Sequence, residues 1–314
     1  MAILTAKVPE ELAGKRLDQC LAEIFPDYSR SKLQSWIKAG RVTVNGEMLK
    51  PRDKLEGDED IVLDAEPEPV METQAEDIPL DIVFEDESLL IINKPAGLVV
   101  HPAAGNWQGT LVNALLNHDA TLNTLPRAGI VHRLDKETSG LLMVARTLQA
   151  HHSLNTQLQE RTIVREYLAL VKGWMTGGGT IDEPIGRHPV DRKRYTVKAD
   201  GKPAVTHYRL EQRFKRYTLV RVKLETGRTH QIRVHMAHIK YPLVGDPVYG
   251  GRFQLPAGCS EPLEQALRGF KRQALHATKL GLVHPVSGEY LEWEQPVPED
   301  MQNLLNVLAE NELD

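Results

Sequence analysis

The spacing of apolar residues changes character along this chain, and each change marks an expected element. In "RLDQCLAEIF", Leu17, Leu21, Ile24 and Phe25 fall at helical spacing. After the turn "PDYS", the run "SRSKLQSWIKAG" places Leu33, Trp36 and Ile37 on one stripe, with Ser29 or Ser31 as N-cap and Gly40 as the stop. "RVTVNG" then alternates, with Val42 and Val44 on one face, and predicts a strand. Residues 65 to 78, "AEPEPVMETQAEDI", have no period and read as a linker. Beyond residue 79 the short apolar runs "LLIINKP", "LLMVAR" and "EYLALVKG" predict buried strands, and "TLVRVKLETG" turns Val220, Val222 and Leu224 inward. Helical patterns are interspersed in "GTLVNALL" and in "TLQAHHSLNTQLQER", where Ala150, Leu154 and Leu158 recur every four residues. Mixed strands and helices without a βαβ rhythm predict an α+β chain: a small module over 14–75 and a larger domain over 79–314.

Composition adds little to this, at 41% hydrophobic and 26% charged in 314 residues. No apolar run has the length of a membrane span, and "MAILTAKVPEELAGKR" lacks a secretory apolar core. Two cysteines, Cys20 and Cys259, supply neither a disulfide framework nor a metal-ligand spacing. A cytosolic chain is expected. The net charge of −5 is misleading, because residues 55 to 90 hold 14 acidic side chains and no Lys or Arg. Elsewhere 38 basic residues face 29 acidic ones, and residues 187 to 233 alone hold 14 basic against 4 acidic. That partition suits a polyanionic partner.

"AGIVHRLDKETSGLLMVAR", residues 128 to 146, raises the chemical question. Residues 136 to 140 read as a polar turn entering a buried strand, so Arg133 and Asp135 stand where they are drawn partly out of water. Burying such ions costs several kcal/mol unless they are paired. A lone Asp in a turn is more often structural than catalytic, but three other stretches alter that estimate. "REYLALVKG" puts Tyr167 near the start of an apolar strand, and "INKPAGLVVHP" makes a Gly-Pro loop directly after one. "ETGRTHQIRVHMAHI" offers Arg228, Gln231 and Arg233. A carboxylate kept ionised inside a cavity needs an arginine beside it, and spacing alone does not choose between Arg228 and Arg233. His230, His235 and His238 lie close together but match no recognised zinc spacing. His132 is expected to serve as a hydrogen-bonding structural residue, and "TGGGT" at 176 to 180 as a plain turn.

Two resemblances follow from these stretches. The two short helices, the strand and Val44-Asn45-Gly46 resemble the S4 RNA-binding domain, which implies RNA-backbone contacts by Arg30, Lys32 and Arg41. "NKPAGLVVHP", "HRLDKETSGLLMVAR", "REYLALV", "GRTHQIRVH" and "PLVGDPVYGG", in that order, resemble the RluA family of pseudouridine synthases over nearly the whole chain. The resemblance implies an S4 module followed by a catalytic domain with a mixed, mainly antiparallel sheet. It implies Asp135 as the catalytic carboxylate, Arg233 as its ion-pair partner and Tyr167 as the ring beside the flipped base. It further implies that Arg133 fills the space the base vacates and that Arg228 holds phosphate.

With the S4 module in front, the expected substrate is large-subunit (23S) ribosomal RNA, at the stem-loop called helix 69, either free or in an assembling particle. No cofactor, metal, membrane or obligate protein partner is implied, because isomerisation needs neither a redox carrier nor an energy donor. Two rivals share the charge and composition. A non-catalytic RNA-binding protein would not need Asp135, and a nucleic-acid or nucleoside hydrolase would release uracil or break strands.

Overall fold

A computed structural model of the chain describes residues 2–26, 28, 30–65, 74–102, 106–191 and 194–311. It divides into two compact units, Met1–Glu72 and Thr73–Asp314. The first contains β1 (Ala2–Lys7), α1 (Leu17–Ile24), α2 (Arg30–Lys38), β2 (Val42–Val44) and β3 (Asp60–Ala65). Its sheet has the order β1-β3-β2, antiparallel throughout. Leu17, Leu21, Leu33, Trp36, Ile37, Val42 and Val44 meet in its core, as their spacing predicts. The module expected from residue 14 thus also takes in residues 2–7, whose register pairs Leu4 with Leu63. Of the two N-cap candidates, Ser29 and the side chain of Ser31 lie outside the described residues, as do residues 66–73 of the expected linker.

The second unit runs β4 (Ile82–Glu85), β5 (Leu89–Lys94), α3 (Leu111–His118), β6 (Ser139–Ala145), α4 (Leu148–Gln159), β7 (Val164–Lys172) and β8 (Gly179–Asp182). It continues through β9 (Ile185–Arg187), β10 (Tyr195–Val197), β11 (Val205–Phe214), β12 (Tyr217–Leu224) and α5 (Gln231–His238). It ends with α6 (Glu261–Gly269), β13 (Leu275–Val283), β14 (Tyr290–Glu294) and α7 (Glu299–Glu310). One large sheet has the order β4-β5-β6-β13-β7-β12-β11-β8, with β14 on β13. Among the described strands of this sheet only β6 and β13 pair in parallel, so the sheet is mixed and mainly antiparallel. β6 is buried at every position, and β12 alternates as its sequence predicts.

Two local expectations need correction. Ser139 and Gly140, placed in the polar turn, are buried strand residues of β6. Gly179 and Thr180 of "TGGGT" open β8. "QIRVHMAH" forms α5, although Ile232, Val234 and Met236 alternate as in a strand. Residues 231–236 of this helix are all buried, so no amphipathic stripe marks it.

Gly140 has φ +113° and packs so closely on β13 that a Cβ would lie 2.2 Å from the carbonyl oxygen of Ala277. The parallel β6–β13 pairing therefore depends on a bare backbone here. Gly140→Ala is expected to lower unfolding free energy by roughly 3 kcal/mol from left-handed strain and overpacking. Denaturant unfolding of the two proteins checks this, and an unchanged midpoint would contradict it.

Candidate active site

The loop before β6 is pinned to that strand ahead of Asp135 and to β5 after it. Arg127 and Ala128 adopt left-handed backbone, an arrangement costly for residues with side chains. Gly129 follows at φ +79°, where a Cβ would lie 1.9 Å from the Ala145 carbonyl oxygen. Ile130 then bridges Val144, and the Met143 N–H donates to His132 Nε2 at 3.0 Å. Leu134 enters the core, and the Asp135 carbonyl accepts the Thr138 N–H at 3.0 Å. From β5, the buried Lys94 ammonium donates to the carbonyls of Pro95, Leu98 and Lys136 at 2.7–3.0 Å. Burial pulls its pKa down to about 8, and its three donors tie the "NKPAG" loop to the Asp135 loop.

Asp135 Oδ2 accepts from Arg233 Nη1 at 2.9 Å. Arg233 is 4% exposed and presents the other edge of its guanidinium to Asp246, with Nε to Oδ2 at 2.7 Å and Nη2 to Oδ1 at 2.9 Å. Asp246 also accepts the N–H groups of Val248 and Tyr249 through Oδ1. Burial pushes the Asp246 carboxyl upward, but Arg233 and the backbone N–H groups outweigh it and hold the pKa below its usual value. The same two carboxylates raise the Arg233 pKa. The Tyr249 ring lies 5.0 Å from the Arg233 guanidinium carbon.

Two features of α5 aim Arg233. His230, its N-cap, is left-handed. Gln231 accepts from the Thr226 hydroxyl and the Arg228 N–H, and donates to the Val205 carbonyl and the Thr206 hydroxyl. The Tyr249 hydroxyl accepts the Tyr195 N–H and lies 2.9 Å from His230 Nδ1. His230 Nε2 lies 3.9 Å from Asp135 Oδ1.

Asp135, His230, Gln231 and Arg233 border a cavity of about 950 Å³, large enough for a nucleotide. Arg133 and Arg228 are exposed at its border. Arg228 donates Nε–H to the Pro203 carbonyl at 3.0 Å. Tyr167 on β7 is buried and lines the cavity, and its hydroxyl has no hydrogen bond among the described residues. Burial raises its pKa. Sequence position thus brings Asp135, Arg133, Tyr167, Arg228 and Arg233 to one cavity.

The S4-type residues belong to the other unit and each has an internal partner. Arg30 Nε and Nη2 donate to buried Asp18 at 3.1 and 2.7 Å, Lys32 lies 4.9 Å over the Trp36 ring, and Arg41 is 3.5 Å from Asp64. The three neighbouring histidines do not converge. His230 meets Tyr249, and His235 lies between the Thr206 hydroxyl and the Glu183 carbonyl.

Asp246, Tyr249 and Lys94 were not singled out from the sequence, and His230 was named only with His235 and His238. The available signal for Asp246 is its place in "PLVGDPVYGG", an acid in a Gly-Pro turn after an apolar run.

The pattern that describes RNA pseudouridylate synthases matches residues 88–238, and that of the S4 domain matches residues 15–61. Over 306 residues the chain is 58% identical to the ribosomal large subunit pseudouridine synthase D of Pseudomonas aeruginosa, covering 98% of this chain and 96% of the relative. The protein of that name from Escherichia coli K12 is 56% identical, over 97% and 94% of the two chains. Among solved structures, human RNA Pseudouridylate Synthase Domain Containing 4 is similar with a TM-score of 0.58 and 26% identity, over 73% of this chain and 92% of that one.

Two outcomes follow from the buried charges. Asp246→Asn leaves the Arg233 cation half-partnered in the interior and is expected to cost about 3–5 kcal/mol of stability in denaturant unfolding; a loss below 1 kcal/mol would contradict it. Burial pushes the His132 pKa down from 6.5 to about 3. Its neutral form therefore favours the fold fully above pH 6.5, and that contribution is lost as pH falls toward 3. Unfolding free energy is expected to fall by up to about 1.4 kcal/mol per pH unit for this residue below pH 6.5. His132→Gln should flatten that slope in a pH series, and an identical slope would exclude His132 as its source.

Proposed function

The chain belongs to the RluA family of RNA pseudouridine synthases, with an S4 domain in front, and from that premise we propose that it isomerises uridines in large-subunit (23S) ribosomal RNA, with Asp135 as the reacting carboxylate. The observation that carries the reading is the asymmetry of Asp135. One carboxylate oxygen is fixed by Arg233, while the other has no hydrogen bond among the described residues and borders the cavity. The names of the relatives supply the ribosomal substrate, and the helix 69 stem-loop is the target that the resemblance favours.

In this mechanism a uridine leaves its stack and enters the cavity, with Arg133 filling the space it vacates. Loop uridines suit this better than stem uridines, because unpaired bases are cheaper to extrude. The free Asp135 oxygen attacks, or stabilises cationic character, where the N1–C1′ bond breaks. The uracil turns, C5 bonds to C1′ and displaces the Asp135 oxygen where one has bonded, C5 loses its proton and N1 gains one. Atoms and electrons balance within the nucleoside, so no redox or energy-supplying cofactor is required. Tyr167 packs beside the base, and its unbonded hydroxyl is placed to relay the C5 proton. Arg233 orients Asp135 and needs no change of charge. Arg228, and Arg30, Lys32 and Arg41 on the S4 unit, contact phosphate, in the cytoplasm where the RNA is made. The substrate is free RNA or an assembling particle, and no obligate protein partner is invoked.

Pseudouridine mapping by carbodiimide modification and primer extension tests this, using ribosomal RNA from cells lacking the protein. New stops with the wild type and none with Asp135→Asn are expected, with RNA affinity within about threefold for the variant because the phosphate contacts remain. Stops produced equally by Asp135→Asn would remove Asp135 from the chemistry. Released uracil in place of pseudouridine would favour the hydrolase. Joint substitution of Lys32 and Arg41 by Ala should make the dependence of log Kd on log salt shallower by roughly one to two units. An unchanged slope would take the S4 residues out of the RNA contact.

A further inference from the structure

Arg165 is a buried charged group in the cavity wall that the mechanism above leaves without a role. It sits on β7 two residues before Tyr167, so both side chains lie on the cavity face of the strand, about 7 Å apart along it. It is 7% exposed, and no carboxylate pairs with it among the described residues. Its Nε is buried with no hydrogen-bond partner, and Nη2 reaches only the Glu225 backbone carbonyl at 3.3 Å. The carboxylate nearest in sequence to that contact is already used. Glu225 Oε2 pairs with Arg161 at 2.8 Å and Oε1 with His207 at 2.6 Å. The other acid on the cavity wall, Asp135, is held by Arg233. Gly227 leaves room for the guanidinium, since a Cβ there would lie 2.9 Å from Arg165 Nη1.

A buried arginine with an unsatisfied Nε is a costly state for a free enzyme. It is relieved when an anion with paired acceptor oxygens enters, and a phosphodiester matches the guanidinium fork. We propose that Arg165 is a substrate-binding residue that holds a backbone phosphate flanking the flipped uridine. This rests on the reading of the cavity as a uridine site. The placement fits a nucleotide. With its glycosidic bond at Asp135 and its base beside Tyr167, the sugar-phosphate backbone must leave the centre within one sugar's length. Arg165 lies at that remove along β7. The unpaired charge also reaches the reaction centre, since Arg165 depresses the His132 pKa and offsets part of the rise at Tyr167. Exposed Arg133 and Arg228 bind RNA at the border, whereas Arg165 would contact only a nucleotide already inside.

The test is a double-mutant cycle on a stem-loop RNA with one target uridine. A neutral methylphosphonate replaces each flanking phosphodiester in turn, and wild type, Arg165→Met and Arg165→Lys are assayed for pseudouridine. Arg165→Met is expected to lower kcat/KM roughly 10- to 100-fold on unmodified RNA, the size of one hydrogen-bonded charge contact. A methylphosphonate at one particular linkage should lower the wild type by a similar factor and leave Arg165→Met unchanged. Arg165→Lys, which keeps charge but loses the fork, should fall between. The thermal midpoint of Arg165→Met should be equal to or above that of the wild type, because an uncompensated buried charge has been removed. Losses that multiply at every linkage, or a lowered midpoint marking the guanidinium as structural, would overturn the proposal. A wild type that makes no pseudouridine on the unmodified RNA, or on assembling particles, would instead remove the uridine-site reading, and the proposal with it.

Discussion

One guanidinium shared by two carboxylates is the interaction on which this cavity depends. Arg233 has a planar fork, and its two edges do different work. Asp246 takes the Nε and Nη2 edge and completes its acceptors with two backbone N–H groups, so neither of its oxygens is available to a substrate. Asp135 receives only Nη1 and keeps an oxygen toward the cavity. The two acids lie against the same cation, yet hydrogen bonding and burial leave only Asp135 with an oxygen toward the cavity. A lysine could not divide itself in this way, because a point charge offers no rigid pair of edges. The cluster has one positive and two negative charges in a poorly hydrated place. It persists because the donors are fixed before any substrate arrives, the condition under which electrostatic preorganisation is effective.

Holding Asp135 against that fork sets the local backbone. Two left-handed residues and Gly129 turn the chain onto β6, and Gly140 lets the strand approach β13 without a side chain between them. Lys94 gathers three carbonyls of the adjoining loops and satisfies groups that would otherwise be buried without donors. Strain and buried polarity are thus concentrated within a few residues of one carboxylate. The apolar core of β5, β6, β7 and β12 offsets them. The geometry is stiff because its supports are strands and backbone carbonyls, with few long flexible side chains among them.

How much of this was legible follows from the range of each interaction. Elements held by their own periodicity were readable: α1, α2, α4, β5, β6, β7 and β12 all lie where their apolar spacing puts them. α5 was not, because a helix buried on every side has no polar face to reveal its period. β1 was missed because its apolar residues gain meaning only through β3, nearly sixty residues away. Among the site residues, Asp135, Tyr167 and Arg233 were reached through motif resemblance. Their meeting needs contacts across 98 residues, which no local rule supplies. Asp246 sat in a quoted motif without a role, since its function exists only once Arg233 is known to be buried. Arg30 shows the reverse difficulty. It reads as a solvent-facing cation, yet in the fold its fork is bound to buried Asp18.

The arginines around the cavity then sort by burial into two energetic kinds. Arg133 and Arg228 are exposed, and attraction of that sort is sequence-tolerant and falls with salt. It can draw in any RNA but cannot tell a flipped nucleotide from a helical one. Buried arginines act differently, because their cost is already present in the free protein. Arg233 has that cost met internally by two acids, so it is indifferent to whether the cavity is full. Arg165 does not, so the empty cavity is the less favourable state and only an anion reaching that depth relieves it. Discrimination between bound and correctly inserted RNA can therefore come from one unpaired charge below the surface, with the basic border supplying affinity that needs no such precision.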